Sequence, residues 1–292
     1  MRRNTFSGFL TTLICLTALS LSASPALSLS ASSILPPLAS SILPLSASRA
    51  ASPLAAKQEF YSIRIYQLKN KEQEEKVDKY LKEAYLPALH RHGIPEAGVF
   101  KPIGNDTAAI RRIYVLIPFR NFDEIAELAN ALTTDANYLT DGKDYLNAAW
   151  DNPPYIRIES IILRAFPEMP RHEAPKSLTT PTSEKIYELR SYESPTEKYH
   201  ANKVQMFNEG GEVKLFKKLG FNAVFYASVL SGAHMPNLMY MTSFGNMASR
   251  EEHWKTFGSD PFWKALSSSP EYQHNVSHND IVFLHPTDYS DL

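Results

Sequence analysis

The chain has 292 residues, 43% of them hydrophobic, and a formal net charge of −1. That length holds one large or two ordinary domains with a well-buried core. The near-neutral balance gives no electrostatic footprint for nucleic acid. The only cysteine, Cys15, falls in a segment expected to be removed. The mature protein then has no disulfide, no thiolate nucleophile and no cysteine-ligated metal.

Arg2 and Arg3 precede an apolar run from Phe9 to Leu21, and small residues follow at Ser22–Ala26. This is the pattern of a secretory signal, so residues 1–26 are read as a signal peptide and the protein as periplasmic or extracellular. The run is short for a bilayer span, and membrane contact is expected through this segment alone. The arginine pair near Phe6 also suggests a twin-arginine address. Residues 27–57 are built from Ser, Ala, Leu and Pro, and 33–40 and 41–48 are near copies. Repeated prolines block helix and sheet ladders, so this stretch is a low-complexity spacer. Four of the 30 basic residues and none of the 31 acids lie at or before Lys57, which leaves 26 against 31 in the remaining body.

That body contains a repeat. Tyr61-Ser-Ile-Arg-Ile-Tyr66 and Tyr187-Glu-Leu-Arg-Ser-Tyr192 share Tyr-x-x-Arg-x-Tyr at an offset of 126 residues. Gly93 and Gly220 each end a charged helical pattern, and Phe119-Arg-Asn121 matches Phe244-Gly-Asn246. Three anchors at nearly one offset divide the body into a first unit at 58–166, a linker at 167–183 rich in Pro, Thr, Ser and Lys, and a second unit at 184–287. The first unit reads as strands near 59–68, 97–103, 110–117 and 155–165, with helices near 71–91, 121–132 and 135–149.

In the second unit, 185–192 suits a strand. Ser194-Pro195-Thr196-Glu197 has the capping-box form, with Ser194 as N-cap, and opens a helix to about Leu219. Val204, Phe207, Gly211 and Leu215 make one stripe along it. Gly210-Gly211 inside a helix costs about 1 kcal/mol per glycine, offset either by close approach to the sheet or by a cavity at Asn208, Tyr226 and Tyr240. Residues 221–230 read as a strand apolar on both faces. Phe221, Ala223, Phe225 and Ala227 fall on one face, with Val224, Tyr226 and Leu230 on the other. A strand at 238–244, helices at 247–257 and from Asp260-Pro261, and a strand at 281–284 complete the unit. The order β-α-β-β-α-β occurs twice, so the fold class is α+β: tandem duplicated ferredoxin-like units. Each sheet carries helices on one face, and the two bare faces cover each other to form an α+β barrel.

Tyr187-Glu-Leu-Arg190, Met206-Phe-Asn208, Gly210-Gly-Glu212, Pro236-Asn-Leu-Met-Tyr-Met241, and Trp254 with Phe257, Pro261 and Trp263 resemble the NIPSNAP family. The resemblance covers about 185–286 and is nearest the exported bacterial branch. The first unit carries mainly the Tyr-x-x-Arg-x-Tyr strand. The resemblance implies a dimeric α+β-barrel fold, shared with cofactor-free monooxygenases and some haem-handling enzymes. It implies no settled activity.

Glu188, Arg190 and Tyr192 fall on one face of their strand. The ligand-binding set read from the sequence is Arg190, Tyr192, Asn208, Glu212, Tyr226, Asn237, Tyr240 and Trp254. The catalytic residue is unassigned, with Asn208 and His253 as candidates. The structural alternative pairs Arg190 with a carboxylate such as Glu212 and places Trp254, Phe257 and Trp263 in a core. His90 and His92 are wrongly spaced for one helical face, and His274 and His278 lack a helical pattern, so no metal is expected. No cofactor is expected, although a haem on one histidine stays open. Nucleotide, nucleophile-elbow and phosphate-loop motifs are absent. The first reading is an exported protein that binds an unidentified small molecule in the second unit. The alternatives are a cofactor-free oxygenase or haem-handling enzyme, and a non-catalytic interaction protein. A homo-oligomer stays open.

Overall fold

The computed structural model describes residues 57–292, so the signal segment and nearly all of the spacer lie outside the described residues. The first half runs β1 (Phe60–Leu68), α1 (Lys71–Tyr80), a π-helical turn (Leu81–Tyr85), α2 (Leu86–Arg91), β2 (Gly98–Pro102), β3 (Arg111–Phe119), α3 (Asp123–Leu132), α4 (Ala136–Asp141), α5 (Lys143–Leu146) and β4 (Arg157–Ala165). The second runs β5 (Ile186–Glu193), α6 (Glu197–Phe207), α7 (Glu212–Lys218), β6 (Asn222–Ser231), β7 (Asn237–Phe244), α8 (Met247–Ser259), α9 (Pro261–Ser268) and β8 (His278–Pro286).

The eight strands close into one antiparallel barrel in the order β1-β3-β2-β8-β5-β7-β6-β4. Each half contributes the same order, β4-β1-β3-β2 and β8-β5-β7-β6. The edge strands of one half hydrogen-bond to those of the other, β2 to β8 and β4 to β6. Neither half is left with an open edge, which would otherwise template aggregation. The inward face is filled by Tyr61, Ile63, Leu163, Tyr187, Leu189, Phe225, Met241 and Leu284, among others. Two further apolar clusters lie outside the barrel, under the helices of the first and second halves. No helix among the described residues is long and apolar enough to cross a membrane.

Three local expectations are corrected. Ser194 is not the N-cap of α6: that place is held by Thr196. The Ser194 hydroxyl instead donates to the Asn275 carbonyl at 2.8 Å, because the chain leaving β5 is drawn to tertiary partners first. The helix expected to run from Pro195 to about Leu219 breaks at Asn208–Gly211, where Gly211 has φ +88° and caps α7. A Cβ at Gly210 would sit 2.5 Å from the Met206 carbonyl oxygen. The glycines therefore serve the break rather than an uninterrupted helix against the sheet. In β6 a bulge between Ala223 and Phe225 shifts the alternation. Val224 joins Phe225, Ala227 and Val229 inside the barrel, Tyr226 faces the helices, and Leu230 is exposed.

The segment joining the halves is clamped to β1. Glu59 accepts hydrogen bonds from the His172 backbone N–H at 2.8 Å and lies 2.9 Å from His172 Nδ1, while Nε2 lies 3.0 Å from Glu96. Burial pulls the His172 pKa down, but Glu59 and Glu96 outweigh it and raise it above 6.5. The His172 contribution is therefore full below about pH 6.5 and is lost as pH rises through the raised folded value. Glu59 is held below 4.5 despite its burial, so its contribution is lost only in acid. His172→Gln is expected to cost about 1–2 kcal/mol near pH 6 and progressively less at higher pH. Urea midpoints across that range check it, and a pH-independent loss would refute the clamp.

Candidate functional site

Two repeat-related polar layers lie between helices and sheet, and they differ in charge balance. In the second half, Glu188 is fully buried on β5. It accepts from Arg190 Nε at 2.7 Å, from Arg250 Nε and Nη2 at 2.9 Å each, and from Trp254 Nε1 at 2.8 Å. Burial raises its pKa, but Arg250, Arg190 and Trp254 together hold it below 4.5. The Arg190 guanidinium lies 3.8 Å over the Trp254 ring and donates through Nη1 to the Tyr192 hydroxyl at 3.0 Å. Tyr192 continues to the Tyr240 hydroxyl at 2.9 Å. Every nitrogen of Arg190 is engaged inside the protein.

Arg190 does not pair with Glu212 as the structural alternative had it. Glu212, 2% exposed, meets Lys203 on α6, 5% exposed, at 3.1 Å. The ammonium also lies over the Phe207 ring at 4.8 Å. Burial raises the Glu212 pKa above 4.5, against the opposing pull of Lys203 and Arg190. Sequence reasoning missed Lys203 and Arg250. Lys203 stood in the helical window beside the apolar stripe as one cation among several, with nothing to mark it as buried.

The other expected residues are placed as follows. Tyr226 and Tyr240 stack at 5.5 Å and pack on Phe207 and Phe216, filling the space where a cavity was expected. Trp254 joins that cluster through Phe216 and Phe221. Asn208 ends α6, with its amide donating to the Val204 carbonyl at 2.8 Å and its oxygen accepting from the Glu168 N–H at 3.2 Å. His253 Nδ1 lies 2.7 Å from the Ser249 carbonyl oxygen, and its ring meets Phe221 and Phe244 edge-on. Asn237 lies apart from this layer, in β7, and donates to the Ser191 hydroxyl at 2.8 Å. Arg190, Tyr192, Tyr240 and Trp254 thus converge, but on one another.

In the first half, Arg64 takes the place of Arg190, and Ser62 takes that of Glu188. Arg64 donates to the Tyr85 hydroxyl at 3.0 Å and lies 5.5 Å from that ring. It has no carboxylate partner among the described residues, and residues 1–56 contain no acid that could supply one. Tyrosines surround it. Tyr80 stacks on Tyr145 at 3.7 Å and on Tyr85 at 5.6 Å, and the Tyr80 hydroxyl meets that of Tyr138 at 2.9 Å. The Tyr66 hydroxyl, fully buried, has no partner. Tyr85 closes the π-helical turn, an irregularity frequent at functional sites. Separately, a groove of about 570 Å³ runs between α6 and the barrel wall, lined by Arg164, Lys198, Gln205 and Asn208 among others.

Comparison with known proteins adds the following. The profile of the NIPSNAP family matches residues 187–291. No curated protein matches the chain in sequence. Among solved structures, a protein described as a "putative monooxygenase" from Lactobacillus acidophilus is 11% identical, with 79% of this chain and 94% of that chain covered at a TM-score of 0.51. Another so described, from Fusobacterium nucleatum, is 7% identical, with 79% and 93% covered at 0.52. A NIPSNAP family protein from Agrobacterium tumefaciens is 22% identical, with 37% and 90% covered at 0.33. At such identities the monooxygenase-like structures establish a shared fold and nothing of substrate or reaction. Residues 187–291 match the NIPSNAP family model, and they lie in the half of the closed α+β barrel that β5 to β8 form, the other half having the same strand order.

Proposed function

We propose that this protein binds a small organic anion, a carboxylate or phenolate with an aromatic or apolar body, and that the first half supplies the receiving group. One observation carries the reading: Arg64 is a largely buried guanidinium without a counter-charge, where its repeat-mate Arg190 has Glu188. A buried cation without a partner is costly, and a ligand carboxylate would supply the bidentate partner that guanidinium geometry favours. Tyrosine rings around Arg64 would hold a flat body by edge and face contacts. The stability test separates a ligand site from a structural arginine. Arg64→Met is expected to leave stability unchanged or raise it by about 1–2 kcal/mol, because it removes an uncompensated charge. Arg190→Met is expected to lower it. In thermal unfolding, benzoate and 4-hydroxybenzoate at millimolar concentration are expected to stabilise the wild type but not Arg64→Met. Ser62→Asp, which offers Arg64 an internal carboxylate, is expected to abolish the same shift. Equal loss of stability in the two arginine variants, or ligand shifts that survive Arg64→Met, would overturn the reading.

A second reading places the ligand in the groove along α6, which takes in Asn208 alone of the binding residues expected in the second half. There Arg164, Lys198 and Asn208 line a volume of about 570 Å³, which suits a small molecule. A ligand shift retained in Arg64→Met and lost in Arg164→Ala with Lys198→Ala would favour it. No histidine lines that groove, so its residues do not fit an axially ligated haem. The oxygenase name of the fold neighbours does not extend to an assignment of chemistry here, because Asn208 and His253 are both committed to backbone partners. Export follows the signal pattern of residues 1–26. Terminal sequencing of the mature protein tests it, and an intact Met1 would refute it.

A further inference from the structure

We propose that the mouth of the barrel at the end of β5 is a binding site for a divalent transition metal, zinc by its donor set, on Glu193, His234, His278 and Asp280. Tyr187 and Leu189 face the barrel interior. Alternation along β5 puts Ser191 and Glu193 on the same inward face, two steps nearer the mouth. In β8, His278 pairs directly with Glu193 and Asp280 with Ser191, so both of their side chains share that face. His234 arrives from the turn between β6 and β7.

Three of the four donor groups lie close to one another, and His234 joins the set through Glu193. One donor from each of Glu193, His278 and Asp280 lies within 4.8 Å of the others. His278 Nε2 is 3.3 Å from Asp280 Oδ1, and His234 Nδ1 is 2.9 Å from Glu193 Oε1. Ligands on tetrahedral zinc, at bond lengths of about 2.0–2.2 Å, lie about 3.3–3.6 Å apart. The His234, His278 and Asp280 side chains are each more than half exposed and free to rotate, and binding would require that rotation to close the difference. Two imidazoles with two carboxylates suit zinc, whereas magnesium and calcium favour all-oxygen sets.

Two buried acceptor oxygens at the same place have no hydrogen-bond partner, and both are atoms a cation and its shell would satisfy. Glu193 Oε1 is buried and accepts no aligned hydrogen bond, although His234 Nδ1 is so near. Asn237, 3% exposed, lies directly across from Glu193 on β7, and its Oδ1 has no donor. Among the described residues no lysine or arginine bridges Glu193 or Asp280. A bound ion, with a water in its shell for Asn237, would satisfy these atoms together. It would also tie the β6–β7 turn to β5 and β8. The sequence concealed the set because its members come from one strand end, one strand start and a turn, rather than from one helical face.

The test uses the full chain without a histidine tag, stripped with EDTA and titrated with zinc sulfate at pH 7 in a calorimeter. One equivalent is expected to bind the wild type. His278→Ala and His234→Ala are each expected to weaken that binding at least tenfold. Both positions are exposed, so matching unfolding curves without zinc would confirm that these variants fold. His90→Ala, which lies beside Asp291 instead, is expected to bind as wild type does. Cobalt(II) in place of zinc is expected to give visible absorption bands that disappear in His278→Ala. Absence of binding by the wild type, or equal binding by the wild type and both variants, would overturn the proposal.

Discussion

Glu188→Gln is expected to lower the unfolding free energy by about 3–5 kcal/mol, the cost of breaking a buried ion pair from one side. Glu188 is the only carboxylate that Arg190 and Arg250 meet within salt-bridge distance among the described residues. Glutamine retains the size and one acceptor but leaves two guanidiniums, 12% and 18% exposed at the side chain, facing each other across a neutral group. Urea denaturation at neutral pH reads the loss, and an unchanged m-value assigns it to the native state. The pH profile gives a second reading. Because the Glu188 pKa is held below 4.5, its contribution is present above about pH 4.5 and is lost as pH falls through the folded value. Glu188→Gln is expected to lack that part of the acid transition. A loss under 1 kcal/mol would mean that the network is held open by water and is not a structural cross-link.

Lys203→Met is expected to cost about 3 kcal/mol at pH 7, since it strands Glu212 in an apolar layer. The sign of the pH dependence distinguishes this site from Glu188. Burial already places the Glu212 pKa above 4.5, and removing the ammonium pushes it higher. A carboxyl raised in the folded state retains its proton there at a pH where the unfolded chain has lost it. Stability is then fullest below about pH 4.5 and falls as pH rises through the folded value. The variant is therefore expected to approach wild-type stability in mild acid and to lose most at neutral pH. Lys203→Met with Glu212→Leu is expected to recover to within about 1 kcal/mol of the wild type, because an apolar pair of similar volume replaces the ion pair. A single variant that unfolds like the wild type at pH 7 would show that Glu212 is already neutral.

How much of this was legible depends on the range of the interaction. The Tyr-x-x-Arg-x-Tyr strands at 61–66 and 187–192 and the glycine-ended helices at Gly93 and Gly220 could be read locally. Strand alternation and helix termination are decided within a few residues. The site was read less well. Arg190 could be placed on one face of β5 with Glu188 and Tyr192 by counting, but its partner could not. Glu188 is two residues away on the same strand, and Arg250 and Trp254, which complete the arrangement, come from α8.

By itself the sequence determined a duplicated β-α-β-β-α-β body, its strand order along the chain, the apolar faces that must be covered, and the Arg64 and Arg190 pair of repeat-mates. Only the tertiary structure decided that β2 meets β8 and β4 meets β6, that Gly211 breaks a helix, that Lys203 is buried against Glu212, and that Arg64 lacks the counter-charge Arg190 has. Those outcomes depend on which groups arrive together from distant parts of the chain. A charge carries no mark of its burial until the elements that cover it are in place.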